Sequence, residues 1–173
     1  MSARPDWKDA VWGQYGAALD SMELAIDACP DALWGDRSRF PEFWYVVYHT
    51  LFMLDYYESE SPEGYAPPAP FTLSELDPAG VLPDRVYSKE EMRRFLEHGR
   101  QKLRVRIAGM TDEKAVSRSP FRDLNELEFL LYKMRHVQHH TAQLNLLIRQ
   151  ATNSDAPRWV GRTTLPLTPR RES

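Results

Sequence analysis

Cysteine, one-sided charge, long apolar runs and strand patterning are all scarce in this chain, and each scarcity removes a class of protein. A single cysteine, Cys29, in 173 residues cannot form an internal disulfide, so the fold depends on a packed core. No uninterrupted apolar run approaches the roughly 20 residues that cross a bilayer. The opening residues, Met1 to Lys8, lack the apolar stretch of a signal peptide. The net charge is −3, from 22 basic and 25 acidic residues mixed along the chain, which leaves no basic stripe for nucleic acid or an anionic membrane. The expectation is a cytoplasmic protein whose partner is a small molecule.

Metal and phosphate motifs are thin as well. There is no Glu-x-x-His of the kind di-iron bundles pair, no His-Glu-x-x-His, no cysteine pair for a structural zinc, and the eight glycines form no phosphate loop. Period-two alternation and Asn-Gly or Asp-Gly turns between apolar runs are missing too, so strands are not expected.

What the sequence has is helical periodicity over four long segments. From Trp7 to Cys29, with Asp6 as N-cap, Trp7, Val11, Tyr15, Ala18, Met22, Ile26 and Cys29 fall on one stripe that Pro30 ends. From Pro41 to about Ser59 the apolar residues run all the way around, which predicts burial on most sides and would tolerate a partner. Ser88-Lys-Glu-Glu91 reads as a capping box before a third stripe of Met92, Phe95, Leu96, Leu103, Ile107 and Met110, whose last turn Gly109 weakens. The fourth and longest helix is expected over Asp123 to Thr152. Between Ser61 and Tyr87, six prolines, Pro62, Pro67, Pro68, Pro70, Pro78 and Pro83, make an ordered crossover and a candidate lid. The predicted architecture is all-α, a four-helix bundle over residues 1–152 with one long proline-rich crossover. Residues 153–173, with Pro157, Pro166 and Pro169, form a tail expected to be extended or partly disordered.

Three histidines carry the chemistry. His136 and His140 are four apart on the fourth helix, and His49 lies in the apolar run from Phe43 to Leu54. An i, i+4 pair shares one helix face, and a third imidazole from a packed neighbour completes three sides of a tetrahedral site. On a helical wheel with His136 at zero, the apolar residues Leu130, Met134, Val137, Leu144 and Ile148 lie between about +80° and +160°. His140 falls near about +40° and His139 near about −60°. His140 therefore leans toward the core and His139 toward solvent, although a rotation of the helix would let His139 replace His140. His98 sits on the charged side of the third helix and is set aside. A buried His49 must be satisfied, by a metal or by a carbonyl or tyrosine, as ordinary core histidines are. The stripe of Tyr45, Tyr48, Phe52 and Tyr56 reads as core, and Glu90, Glu91 and Glu97 as a solvated face.

An isolated His in an aromatic-rich second helix, a proline-rich crossover, a Tyr-Ser-Lys-Glu-Glu helix start and the run Arg135-His-Val-Gln-His-His-Thr-Ala-Gln-Leu-Asn145 together resemble the DinB-like (YfiT-like) superfamily of metal-dependent proteins. The resemblance spans about Trp7 to Gln150. It implies one divalent ion, Zn²⁺ or Ni²⁺, on the three histidines that match His49, His136 and His140, with Gln143 and Leu144 matching the residues after the last ligand. Relatives often form dimers, and characterised ones include transferases and isomerases that use low-molecular-weight thiols. Three neutral imidazoles leave the ion open positions at which a bound water or thiol is acidified. Cys29 is not on a ligand helix, so a thiol would come from a second substrate. A metal-dependent thiol S-transferase is the leading expectation. A metal-dependent hydrolase and a non-catalytic, metal-stabilised stress or interaction protein are the alternatives. No general base is identified, and Tyr48, Asp55, Tyr132 and Gln143 are candidates to support the ligands.

Overall fold

Each long helix but one begins where a side chain takes up the free N–H groups of its first turn. In a computed structural model, which describes residues 6–168, Asp6 accepts from the Lys8 N–H at the head of α1 (Trp7–Ala28). The expectations that concern residues 1–5 and Pro169 lie outside the described residues. The short α2 (Asp31–Trp34) follows Pro30, and α3 (Phe43–Tyr57) begins without a side-chain cap, two residues after Pro41. Ser88 and Glu91 close a capping box on α4 (Lys89–Gly109), which stops at the glycine that weakens it. After the short α5 (Asp112–Ala115), Asn125 and Glu128 close a second capping box on α6 (Glu126–Thr152).

This start of α6 lies three residues beyond the expected one, for a local reason. Ser119 N–H donates to Leu124 O and Glu126 N–H to Ser117 O. The backbone before Asn125 is thereby committed to a tight turn, and Asn125, not Asp123, is left to cap.

The described residues are all-helical, with no strand and one isolated bridge between Arg118 and Asn125. Among them no helix is long and apolar enough to cross a membrane. α1 packs on α4 and α6, and α3 packs on the same two helices, so the four long helices close a helical bundle. In α3, eleven of fifteen residues are buried, which accounts for apolar residues around most of its circumference. Its remaining side carries His49, partly exposed and facing α6.

Residues 58–88 form the crossover, and aromatic anchors hold it down. Phe71 stacks on Phe95 with ring centroids 4.0 Å apart, a contact contributing about 1 kcal/mol beyond the area it buries. Tyr48 donates its hydroxyl to Thr72 O at 3.1 Å. Tyr65 donates to the buried carboxylate of Asp55 at 2.7 Å. Asp55 therefore does not support the histidines, as the sequence had suggested. It latches the crossover, and its other contacts go to Lys102 and to Nε2 of His98 at 3.1 Å. Thr72 caps a single 3-10 turn, Leu73–Leu76, and this turn carries Glu75 to the side of α3.

α6 ends at Asn153 in the left-handed region, φ 50°, a conformation asparagine tolerates better than most residues. The tail then runs back along the bundle as an extended strap. Thr163 N–H donates to Gly13 O at 3.0 Å, Trp12 Nε1 to Leu165 O at 2.7 Å and Arg104 Nε to Leu167 O at 2.9 Å. Small residues on α1 make room for it: a Cβ on Gly16 would lie 2.5 Å from the Thr163 side chain, and one on Gly13 2.4 Å from that of Arg162.

Candidate metal centre

α6 presents His136 and His140 one turn apart, and α3 brings His49 against them. Nε2 of His136 lies 3.2 Å from Nε2 of His49 and 3.1 Å from Nε2 of His140. The ligating atoms of the three residues all fall within 4.8 Å of one another. Imidazole nitrogens held about 2.1 Å from one ion sit about 3.0 to 3.4 Å apart, for ligand angles between a right angle and tetrahedral. The two closest pairs have this spacing. His139 lies outside the group, and the structure thus separates two residues that the sequence left interchangeable.

The outer nitrogens decide what the inner ones can do. Nδ1 of His49 faces the buried carboxylate of Glu75 in a short contact. Because a carboxylate only accepts, Nδ1 carries a proton, and in the neutral ring this tautomer turns the Nε2 lone pair inward. Glu75 is itself fixed by Tyr45, whose hydroxyl donates to its second oxygen at 2.9 Å. On the other side, Nδ1 of His140 donates to Oε1 of Gln143 at 2.8 Å, while Nε2 of Gln143 donates to Nε2 of His139 at 3.3 Å. Two lone pairs therefore converge on Nε2 of His136. A proton there can satisfy only one of them, whereas a cation at the centre satisfies all three.

Electrostatics keep His136 and His140 in the ligating form. Burial first, then the neighbouring His140, His49 and His139, and lastly the charge of Arg122, push His136 down to about 4. Burial also lowers His140, partly opposed by its bond to Gln143. The donor set, three imidazoles with two outer nitrogens anchored, is one that borderline divalent ions such as zinc and nickel accept.

Of the other residues singled out in the sequence, Gln143 touches a histidine directly. Tyr48 acts one step away, through the Thr72 turn that carries Glu75. Tyr132 lines a groove of about 450 Å³ beside His136, together with Arg135, Gln138 and His139. Cys29 is buried at the end of α1, with its thiol on Pro30 O and pushed up to about 12, chiefly by burial. It is no nucleophile near neutral pH. Glu75 had no signal in the sequence beyond lying in the crossover, because no periodicity places a residue of an irregular segment on a face.

No protein-family model matches the chain, and comparisons with curated proteins and with solved structures give no match either.

Proposed function

We propose that the chain binds one divalent ion, Zn²⁺ or Ni²⁺, through His49, His136 and His140, and is a metal-dependent enzyme of the DinB-like (YfiT-like) kind, acting as a thiol S-transferase. The observation that carries this is the convergence of three Nε2 atoms, two of them with the outer nitrogen tied to an acceptor. An ion so held supplies Lewis acidity that acidifies a thiol at its open position near neutral pH.

The chain's own groups favour transfer over hydrolysis. Both oxygens of Glu75 are engaged, one by His49 and one by Tyr45, so this carboxylate does not serve as a general base for water. Cys29 is buried and inert, which leaves the nucleophilic sulfur to a second substrate. Glu75 and Gln143 hold the rings in register, and the crossover brings Glu75 to the edge of the site. Among the described residues three protein ligands converge, at a partly exposed edge of the bundle. Purely structural zinc sites, by contrast, are closed by four.

The test is metal analysis of protein purified without an affinity tag. One equivalent of ion in the parent, and loss in both His49→Ala and His136→Ala, is the expected result. Loaded protein should then conjugate an electrophile such as an epoxide or halogenated arene only when a low-molecular-weight thiol is added. Turnover without thiol would assign hydrolysis in place of transfer, and full metal retention by both variants would remove the site.

A further inference from the structure

The groove beside the histidines has an electrostatic character that the metal reading does not use. It is lined by Tyr132, Arg135, His136, Gln138 and His139, and Tyr132 and His136 are i, i+4 neighbours on α6, so its floor leads directly to the candidate metal centre. Arg122 lies over the Tyr132 ring, its guanidinium carbon 5.3 Å from the ring centroid, and one of its nitrogens donates to the Tyr57 hydroxyl at 3.1 Å. These two contacts fix the plane of the guanidinium and leave its other N–H groups unused among the described residues. Arg135, on the groove wall, has no ion-pair partner among the described residues either. The nearest acid along α6, Glu128, is committed to the backbone of Asn125.

One guanidinium, that of Arg135, thus lines a groove of about 450 Å³ with no carboxylate among its lining residues, and a second, that of Arg122, lies over the ring of Tyr132, which also lines it. Guanidinium is planar, always charged, and matched to the two oxygens of a carboxylate. We propose that this groove takes the carboxylate end of an anionic small molecule, gripped by Arg122 and Arg135, with the remainder of the ligand reaching the histidine triad. The inference rests on the metal reading for the ligand's orientation and on the groove alone for its charge. In the proposed reaction it makes the thiol substrate a carboxylate-bearing one.

The experiment compares an anionic with a neutral thiol on cobalt-loaded protein, reading affinity from the sulfur-to-cobalt absorption band. Mercaptosuccinate should bind at least about tenfold more tightly than 2-mercaptoethanol, since a charge-assisted hydrogen bond to an arginine is about twice as strong as a neutral one. Arg122→Gln and Arg135→Gln should each remove most of that preference, while cobalt stoichiometry and 2-mercaptoethanol affinity stay as in the parent. Equal affinity for the two thiols, or a preference untouched in both variants, overturns the proposal. Inorganic phosphate outcompeting succinate for the groove overturns the choice of carboxylate. If the protein retains no cobalt, the metal reading falls on its own. The groove is then judged by succinate titration of metal-free protein followed by NMR: shifts at the Tyr132 and Arg135 signals that vanish in both variants uphold it, and no shifts overturn it.

Discussion

Two groups of ionisable side chains bridge α3 and α6, one of them also reaching Arg106 of α4, and they solve burial in opposite ways. Near the C-terminus of α3, Glu58 pairs with Lys133 and with Nε of Arg106 at 2.6 Å, and a second nitrogen of Arg106 reaches Glu126 at 3.5 Å. Two acids meet two bases, so the cluster is neutral within itself. Burial lowers Lys133 and the charge of Glu58 opposes that shift. The histidine group has three bases turned inward and one carboxylate behind them. The first arrangement is complete in charge, although Oε2 of Glu58 and Oε2 of Glu126 make no hydrogen bond, and the second is a set of ring nitrogens suited to the proposed ion. The contrast distinguishes a charge-balanced polar cluster from the proposed metal site more sharply than burial or motif does.

The largest effect should come from breaking the complete cluster. Lys133→Ala leaves Glu58 with only one counter-charge in the interior, and breaking a buried pair from one side costs about 3–5 kcal/mol. His136→Ala in metal-free protein removes a member of an uncompensated set and should cost less than about 1 kcal/mol. Denaturant unfolding of both variants gives the comparison directly. A His136→Ala cost as large as that of Lys133→Ala would mean that the histidines are themselves a structural cluster.

Adding metal should narrow the gap between the two regions. At a free concentration one hundred times the dissociation constant, an ion that binds only the folded chain adds about 2.7 kcal/mol. In a domain of this size that raises the melting temperature by about 5–10 °C. The gain should vanish in His49→Ala and His136→Ala and persist, at a lower melting temperature, in a Lys133 variant mild enough to fold, such as Lys133→Met. An equal gain in all of them would place the ion elsewhere.

Much of this organisation was open to reading from the chain and part was not. Four helices follow from apolar spacing and caps, because both act within one turn. The pair His136 and His140 was visible for the same reason, and His49 because an imidazole among Val46, Val47, Leu51 and Phe52 needs a partner. Glu75 was not visible: it lies 26 residues from His49, in a segment whose prolines remove any helical phase. The Glu58, Lys133, Arg106 and Glu126 cluster was missed because charged residues default to the surface, and only tertiary packing of α3, α4 and α6 tells which are inside. The course of the tail depends on Gly13 and Gly16 on a distant helix, and its prolines indicate extension without indicating what it lies against.

Glu75 sharpens the comparison at its weaker side, since it is the one acid the histidine group owns. In Glu75→Gln the amide oxygen still accepts from Nδ1 of His49, so the ring keeps its orientation and loses only the charge behind it. Partners of this kind are worth about 10–100-fold in metal affinity. Competition against a chelator should show a loss in that range with the metal-free melting temperature nearly unchanged. A large drop in that temperature would make Glu75 an anchor of the crossover first and a support for His49 second.

The smallest effect lies outside both groups, where a surface pair supplies the baseline for a charge that is well partnered and well solvated. The hydrogen bond from Arg85, with lesser help from the Ser88 backbone and hydroxyl and against the cost of its modest burial, holds the Glu91 carboxyl at about 2 in place of its ordinary 4.5. A carboxyl whose folded value lies below its unfolded one contributes stability that is complete above the unfolded value and is lost as pH falls toward the folded one. The window here is therefore pH 4.5 down to about 2. Glu91→Gln keeps a side-chain acceptor for the Ser88 N–H and removes only the titration. The difference between parent and variant in denaturant midpoint should be small and constant near neutrality, shrink through that window and close at its lower end. A difference that stays constant down to pH 2 would mean that the capping contact, which both side chains make, carries the effect and that the Arg85 charge contributes nothing measurable, as many exposed ion pairs do.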